Sequence, residues 1–249
     1  MSKLSNKVAI VTGASKGIGA AIARHLAEAG AAIVVNYASS KEDADRVVAD
    51  ITRQGGRAIA VQANVAKAEE IDRLFAEAKK AFGRLDILVN NAGVYEFGAL
   101  EEITEEHFHR TFDLNVLGVL LASKAAAAHF DVSGGSIVNM SSFASTVTPA
   151  TSAVYSASKA AVDAVTRVLA KELGPRKIRV NAINPGMVET EGLHAAGMDA
   201  SDFRKQLEAQ TPLGRIGQTQ DIAPAVVFLA SSEAGWITGE TLMISGGAR

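Results

Sequence analysis

No cysteine occurs anywhere in the 249-residue chain, so disulfide staples and thiolate metal ligands are both excluded. Neither sign of charge dominates: 25 Lys+Arg stand against 27 Asp+Glu, a formal net charge of -2. That balance offers no large positive field for a phosphate backbone or an anionic bilayer. Proline is limited to 5 residues, and no Pro/Gly/Ser-rich linker, composition shift or repeat of 20 to 50 residues interrupts the chain. The first apolar stretch opens at Val8 and breaks at Gly13, too short for a signal peptide or a membrane span. These absences predict a cytoplasmic protein that binds neither nucleic acid nor membrane and forms a single domain over 1–249.

What is present is an ordinary globular composition, 48% hydrophobic and 21% charged. Strand-like apolar runs alternate with longer helical patterns, as βαβ units require. Strands are predicted over 8–12, 32–37, 58–62, 85–90, 137–140, 179–184 and 241–244. Helices are predicted over 17–29, 41–54, 71–82, 108–130, 154–173 and 222–230. Ile18, Ile22 and Leu26 give the first helix an apolar stripe, and Gly30 marks its end. The expected fold is an α/β, doubly wound Rossmann domain, with a central parallel sheet flanked by helices on both faces. The least regular stretch, 191–210, suits a lid over the substrate.

The segment TGASKGIG, from Thr12 to Gly19, lies between the first strand and the first helix. Backbone N–H groups and a helix N-terminus there suit a pyrophosphate. A Cβ at Gly13, Gly17 or Gly19 would obstruct the tight turn or the close approach of phosphate. Ser15, Lys16 and Ile18 share this loop. A glycine-rich turn alone equally serves a plain βα connection; its position at the head of the first unit is what points to a dinucleotide. Asn91, Ala92 and Gly93 follow another strand at the same edge of the sheet.

Tyr155 and Lys159 stand at i and i+4 of a predicted helix, so they share one face. Ketone reduction needs a proton for oxygen as well as a hydride for carbon, and a phenol can supply it. A lysine ammonium about 4 Å away would favour the phenolate by roughly 4 kcal/mol at an effective dielectric of about 20. Tyr37 and Lys41 repeat the same spacing, so the pattern by itself does not select the pair. Asn115 is an amide on an otherwise apolar helix, and a structural bond to a neighbouring helix is its simplest reading. The five histidines form no convincing metal-ligand spacing, although His107 and His109 are close, and no metal is expected. The acidic run Glu101, Glu102, Glu105 and Glu106 reads as a solvated helix start.

Taken together, TGASKGIG, NNAG, a serine followed by YSASK, and NPG resemble the short-chain dehydrogenase/reductase family over nearly the whole chain. The resemblance selects Ser142, Tyr155 and Lys159 as catalytic, with Ser141 as a lesser rival to Ser142. It adds Asn115 as the holder of a water that leads to the lysine. It places Asn64 and Val65 beside the adenine, and Asn91, Ala92 and Gly93 beneath the cofactor. Pro185, Gly186, Met187, Val188 and Thr190 would border the nicotinamide, with Tyr155 and Lys159 also touching the cofactor. Asn64 departs from the family's more usual Asp.

NAD-selective dinucleotide folds put an acid at the end of the second strand. Here that place falls on Tyr37, which predicts NADPH/NADP+ in preference to NADH/NAD+. Asn36, Ser39 and Ser40 can donate to a 2′-phosphate, with Lys16 as the cation and Lys41 as a weaker one. Segments such as PLGRIGQTQDIAPAVVFLAS look most like bacterial 3-oxoacyl carrier-protein reductases. That likeness implies a 3-oxoacyl or small carbonyl substrate, with sugar or steroid alcohols as alternatives and a non-catalytic dinucleotide binder as a different class. An acyl carrier protein is admitted as a partner, although Ala125 to Asp131 lacks the usual basic residues. Tyr95, Met187, Leu193, His194, Met198 and Phe203 are candidate pocket residues. A homotetramer is implied, built on the two long helices and the C-terminal segments.

Overall fold

The computed structural model describes residues 2–195 and 202–248. Among the described residues, seven strands form one sheet: β1 Val8–Val11, β2 Ala32–Tyr37, β3 Arg57–Gln62, β4 Ile87–Asn90, β5 Gly135–Met140, β6 Ile178–Pro185 and β7 Thr241–Ile244. The helices are α1 Gly17–Glu28, α2 Lys41–Arg53, α3 Ala68–Phe82, α4 Glu105–Phe112, α5 Gly118–His129, α6 Ala144–Val147, α7 Ala153–Leu173, α8 Glu191–Ala195, α9 Asp202–Gln210 and α10 Thr219–Ala230.

The strand order is β3-β2-β1-β4-β5-β6-β7, every pairing parallel. The winding reverses between β1 and β4, which opens a crevice at the carboxyl ends of those strands. Strands covered on both faces need no polar alternation, hence the runs VAIV and AIVVNY. Ala9, Val11, Ile33 and Val35 face a core layer shared with α1, α2 and α10. Ile10, Val34, Leu88 and Ile137 face the opposite layer beside α3, α5 and α7. Ile22 and Leu26 of α1 are fully buried, each stabilising the docked helix by about 1.5–3 kcal/mol.

The predicted helix over 108–130 runs continuously over Glu105–His129, with one irregularity. Between α4 and α5 the backbone makes a π turn, Asp113–Leu117, centred on Asn115. Such turns insert a residue into the helical ladder without disturbing the apolar pattern on either side. The described residues of the stretch 191–210 are helical, in α8 and α9, and 196–201 lie outside the described residues. Met198 lies outside the described residues, as does the side chain of Phe203.

Candidate active site

Hydrogen bonds spanning long sequence separations lock the glycine loop to the β4 edge. Thr12 Oγ1 accepts from the amides of Asn91 and Ala92, at 2.9 and 3.0 Å. Asn91 Nδ2 donates back to the carbonyls of Thr12 and Gly13 at 2.9 and 3.0 Å. Gly13 has φ +60°, and a Cβ there would lie 2.9 Å from Ala92 Cα, so the two loops meet only because the residue is glycine. Asn36 completes the frame. Its Oδ1 accepts the Gly13 amide at 3.1 Å, and its Nδ2 donates to the carbonyls of Val61 and Ala63.

That commitment corrects one expectation. The Asn36 side chain is buried and spent on holding the loop, so it is not a free donor for a 2′-phosphate. Tyr37 and Val65 likewise turn their side chains into the two core layers. Ser39 and Lys16 are exposed, and the Ser40 hydroxyl makes no capping bond to α2. Lys41 pairs with Asp45 at 2.5 Å on the surface, which occupies the weaker of the proposed cations. Asn64 Oδ1 accepts from Ala66, shaping the turn after β3.

The chemistry-bearing side chains meet at the ends of β4 and β5 and on α7. The Ser142 hydroxyl, which accepts from the Ala144 amide at 3.2 Å, lies close enough to Tyr155 to favour its phenolate. Ser141 instead donates to the Lys159 carbonyl at 3.1 Å, which leaves Ser142 as the serine of the site. Lys159 is buried, and its Nζ donates to the Met140 carbonyl at 3.0 Å. A Cβ at Gly93 would lie 3.0 Å from Asn115 Oδ1 and 3.5 Å from Lys159 Nζ, so the absence of a side chain there lets these groups converge. The floor is fixed by polar strand ends: Asn90 Nδ2 donates to Asn139 Oδ1 and Ser123, and Asn139 Nδ2 to Thr166 on α7.

Two electrostatic expectations change. Burial pushes the Tyr155 phenol up, against the opposing influence of the Ser142 hydroxyl, so in this state it is a proton donor. The Lys159 ammonium lies 5.8 Å from the phenol ring centroid. Burial also lowers Lys159 to about 8. Asn115, for its part, spends its amide on structure: Oδ1 accepts from the Val94 amide, while Nδ2 donates to the Val94 carbonyl and Ser158. Any water held by that side chain has only the remaining Oδ1 lone pair to bind.

Above the site, Phe97 packs edge-on against Tyr155 at 5.8 Å. Glu189 gathers the segment after β6 by accepting from His194, Arg204 and Gln218. Val188 pairs with Gly217, and Gly186 donates its amide to Ile244, which positions 185–190 along the crevice. His107 faces Glu96 while His109 faces Asp113, and no cluster of three metal-ligating side chains forms among the described residues.

Some residues around the site escaped the sequence reading: Thr12 and Asn139, and also Asp163 on α7 with its partner Asn184 on β6, and Glu191, which accepts from the Gly17 amide. A polar residue inside an apolar run, as in SIVNM or AAVDAV, was the available signal for two of them.

A glycine-rich loop at a helix N-terminus beside a Ser142–Tyr155–Lys159 group is the arrangement expected of a dinucleotide-dependent oxidoreductase. A family model described as enoyl-(acyl carrier protein) reductase matches residues 13–249. An uncharacterised oxidoreductase of Methylorubrum extorquens is 61% identical over 249 residues, covering 100% of both chains. A protein of Zymoseptoria tritici named a probable tetrahydroxynaphthalene reductase is 42% identical over 99% of this chain and 96% of its own. Among solved structures, a short-chain dehydrogenase/reductase from Serratia marcescens superposes with a TM-score of 0.93 at 41% identity, covering 98% of each chain. The chain belongs to the short-chain dehydrogenase/reductase family and is an NAD(P)-dependent oxidoreductase.

The residues present fit a nicotinamide dinucleotide. The Gly17 amide at the head of α1 already donates to an anion, the Glu191 carboxylate, at 3.0 Å. The side-chain-free surface at Gly13 and Gly93 supplies a cradle in which a Cβ would crowd the neighbouring loop and the lysine.

Proposed function

We propose that this enzyme is an NADPH-dependent carbonyl reductase, with Ser142, Tyr155 and Lys159 as its working group. The observation that carries the reading is the grouping of the Tyr155 ring, 5.8 Å from the buried Lys159 ammonium, with the Ser142 hydroxyl that acts on it. Two hydroxyls converging on one point suit the oxygen of a ketone. Gly13, Ser15, Gly17, Ile18 and Gly19 would hold the pyrophosphate, with Asn64, Asn91, Ala92, Pro185, Gly186, Val188 and Thr190 along the rest of the cofactor. The nicotinamide supplies the hydride when bound. Ser142 donates a hydrogen bond to the carbonyl oxygen, polarising it, and Tyr155 delivers the proton from a phenol that burial keeps neutral. The phenolate left behind is stabilised by the Lys159 ammonium.

The substrate reading favours a cyclic or aromatic ketone over a carrier-bound acyl chain. Tyr95 and Phe97 form an aromatic wall at the site, and one relative's name specifies a tetrahydroxynaphthalene. On the carrier side, Arg176 and Lys177 are both exposed, and Arg176 donates to the Ala127 carbonyl. Helices α8 and α9 would serve as a lid, gathered on Glu189 through His194 and Arg204.

Exposed Phe108, Leu117, Leu120 and Val168 along α4, α5 and α7, and Leu213, Trp236 and Leu242 near the C-terminus, support two interfaces of a homotetramer. Ala157 and Ala160 face outward, whereas Ala126 and Ala127 pack inside. The test is a panel of β-tetralone, an acetoacetyl thioester and simple sugars with NADPH and NADH, followed at the nicotinamide absorbance. Faster turnover of β-tetralone with NADPH supports the reading. Tight cofactor binding with no turnover of any carbonyl overturns it.

A further inference from the structure

Asp163 is a buried carboxylate that the mechanism above does not use. It stands one turn beyond Lys159 on α7, at i+4 on the same face, and is 6% exposed. Among the described residues its hydrogen-bond partner is Asn184 Nδ2, at 3.0 and 3.2 Å, and no Lys, Arg or His forms an ion pair with it within 4 Å. Leaving a carboxylate buried without a counter-charge is expensive. The same amide of Asn184 reaches the Ser142 carbonyl at 3.2 Å and Ser145 Oγ at 2.9 Å, which ties the carboxylate to the segment bearing the catalytic serine.

The groups around the Lys159 ammonium are otherwise neutral. Met140 presents a carbonyl from β5, and Gly93 and Asn115 approach from the β4 edge and the π turn. Tyr155 lies one turn back on α7, itself facing Ser142 and Tyr95. Among the described residues, Asp163, one turn along α7 from Lys159 and buried with it, is the carboxylate placed to act on the ammonium.

We propose that Asp163 is a positioning residue of the reaction. It supplies the counter-charge that keeps Lys159 protonated at working pH, and through Asn184 it braces the Ser142 segment. Burial pulls Lys159 down and the Asp163 charge pulls it up, leaving it at about 8. The sign follows directly. With the carboxylate neutralised, burial acts unopposed, the ammonium is lost at lower pH, and reduction fails earlier on the alkaline side. The inference rests on the assignment of Tyr155 and Lys159 made above.

The experiment measures kcat and kcat/KM for β-tetralone reduction against pH in wild type, Asp163→Asn and Asp163→Glu. Asparagine keeps the volume and can still hydrogen-bond Asn184. The alkaline limb is expected to move about 0.5–1 pH unit downward in Asp163→Asn, in kcat more than in KM, and to return in Asp163→Glu. A limb that superposes on wild type overturns the proposal, including when stability alone has fallen. A second measurement needs no variant: amine-reactive labelling of the wild-type protein, read at the Lys159 peptide against pH. An apparent pKa near 8 or above supports the counter-charge, and one below neutrality overturns it. Tyr155→Phe separates the two levels. If that variant retains turnover, the catalytic assignment itself has failed; if it is inactive while Asp163→Asn keeps the wild-type limb, only the role of Asp163 has failed.

Discussion

The carboxylate of Glu191 accepts a hydrogen bond from the amide of Gly17 at 3.0 Å, across 174 residues of sequence. This amide opens α1, where a pyrophosphate is expected, so α8 and the cofactor compete for one donor. An anion at a helix N-terminus is stabilised by about 0.3–1 kcal/mol. Removing the competing charge in Glu191→Gln should therefore tighten NADPH binding about two- to five-fold, with the larger gain at low salt. Isothermal titration of the two proteins checks it. Equal or weaker binding by the variant would show that the contact does not compete with the cofactor.

Tyr155→Phe tests the proton donor. The ring keeps its packing against Phe97, so the variant should fold and bind NADPH with near-wild-type affinity. Turnover should fall by about 10²–10⁴-fold, the usual contribution of a positioned acid. Retention of more than about a tenth of wild-type kcat, a barrier change below about 1.4 kcal/mol, would assign the proton to another group.

The sheet was legible because strands buried on both faces read as unbroken apolar runs, and the helices between them carry the 3.6-residue stripe. Tyr155 and Lys159 were singled out by the family resemblance and not by spacing, which Tyr37 and Lys41 repeat. The π turn at Asn115 was not, since apolar periodicity passes through an inserted residue unchanged. Nor was the work of Asn36, whose partner Gly13 lies 23 residues away. The upward push on Tyr155 depends on burial from all sides, and side-chain spacing along one helix carries no information about that.

Asn36→Ala tests whether the glycine loop is held from β2. The change leaves the Gly13 amide and the carbonyls of Val61 and Ala63 without this partner. Unsatisfied buried groups cost about 1–3 kcal/mol each and do not add fully, so a loss of about 2–4 kcal/mol is expected. For a chain of this size that lowers Tm by roughly 5–15 °C. Cofactor affinity should fall as well, because Gly13 belongs to the phosphate loop. Differential scanning calorimetry with and without NADPH separates the effects; an unchanged Tm would mean that the loop is held by Thr12 and Asn91 alone.

Cofactor choice is decided by what meets a 2′-phosphate at the end of β2. No acid stands there: Tyr37 occupies the strand end with its side chain in the core, followed by exposed Ser39 and by Ser40, whose hydroxyl caps nothing. Lys16 is exposed beside the same loop and forms no ion pair within 4 Å among the described residues, whereas Lys41 is taken by Asp45. Lys16 is therefore the cation to test. A charge-assisted contact of about 1–2 kcal/mol corresponds to a rise in the NADPH KM of about 5–30-fold in Lys16→Ala, with the NADH KM almost unchanged. Tyr37→Asp is a poor probe, because it puts an acid into the layer between the sheet and α1. Ser39→Asp adds the charge at an exposed position instead, and should depress kcat/KM with NADPH while sparing NADH. Steady-state kinetics with both cofactors read the outcome. A wild-type kcat/KM higher with NADH than with NADPH overturns the cofactor preference and leaves the hydride-transfer assignment standing.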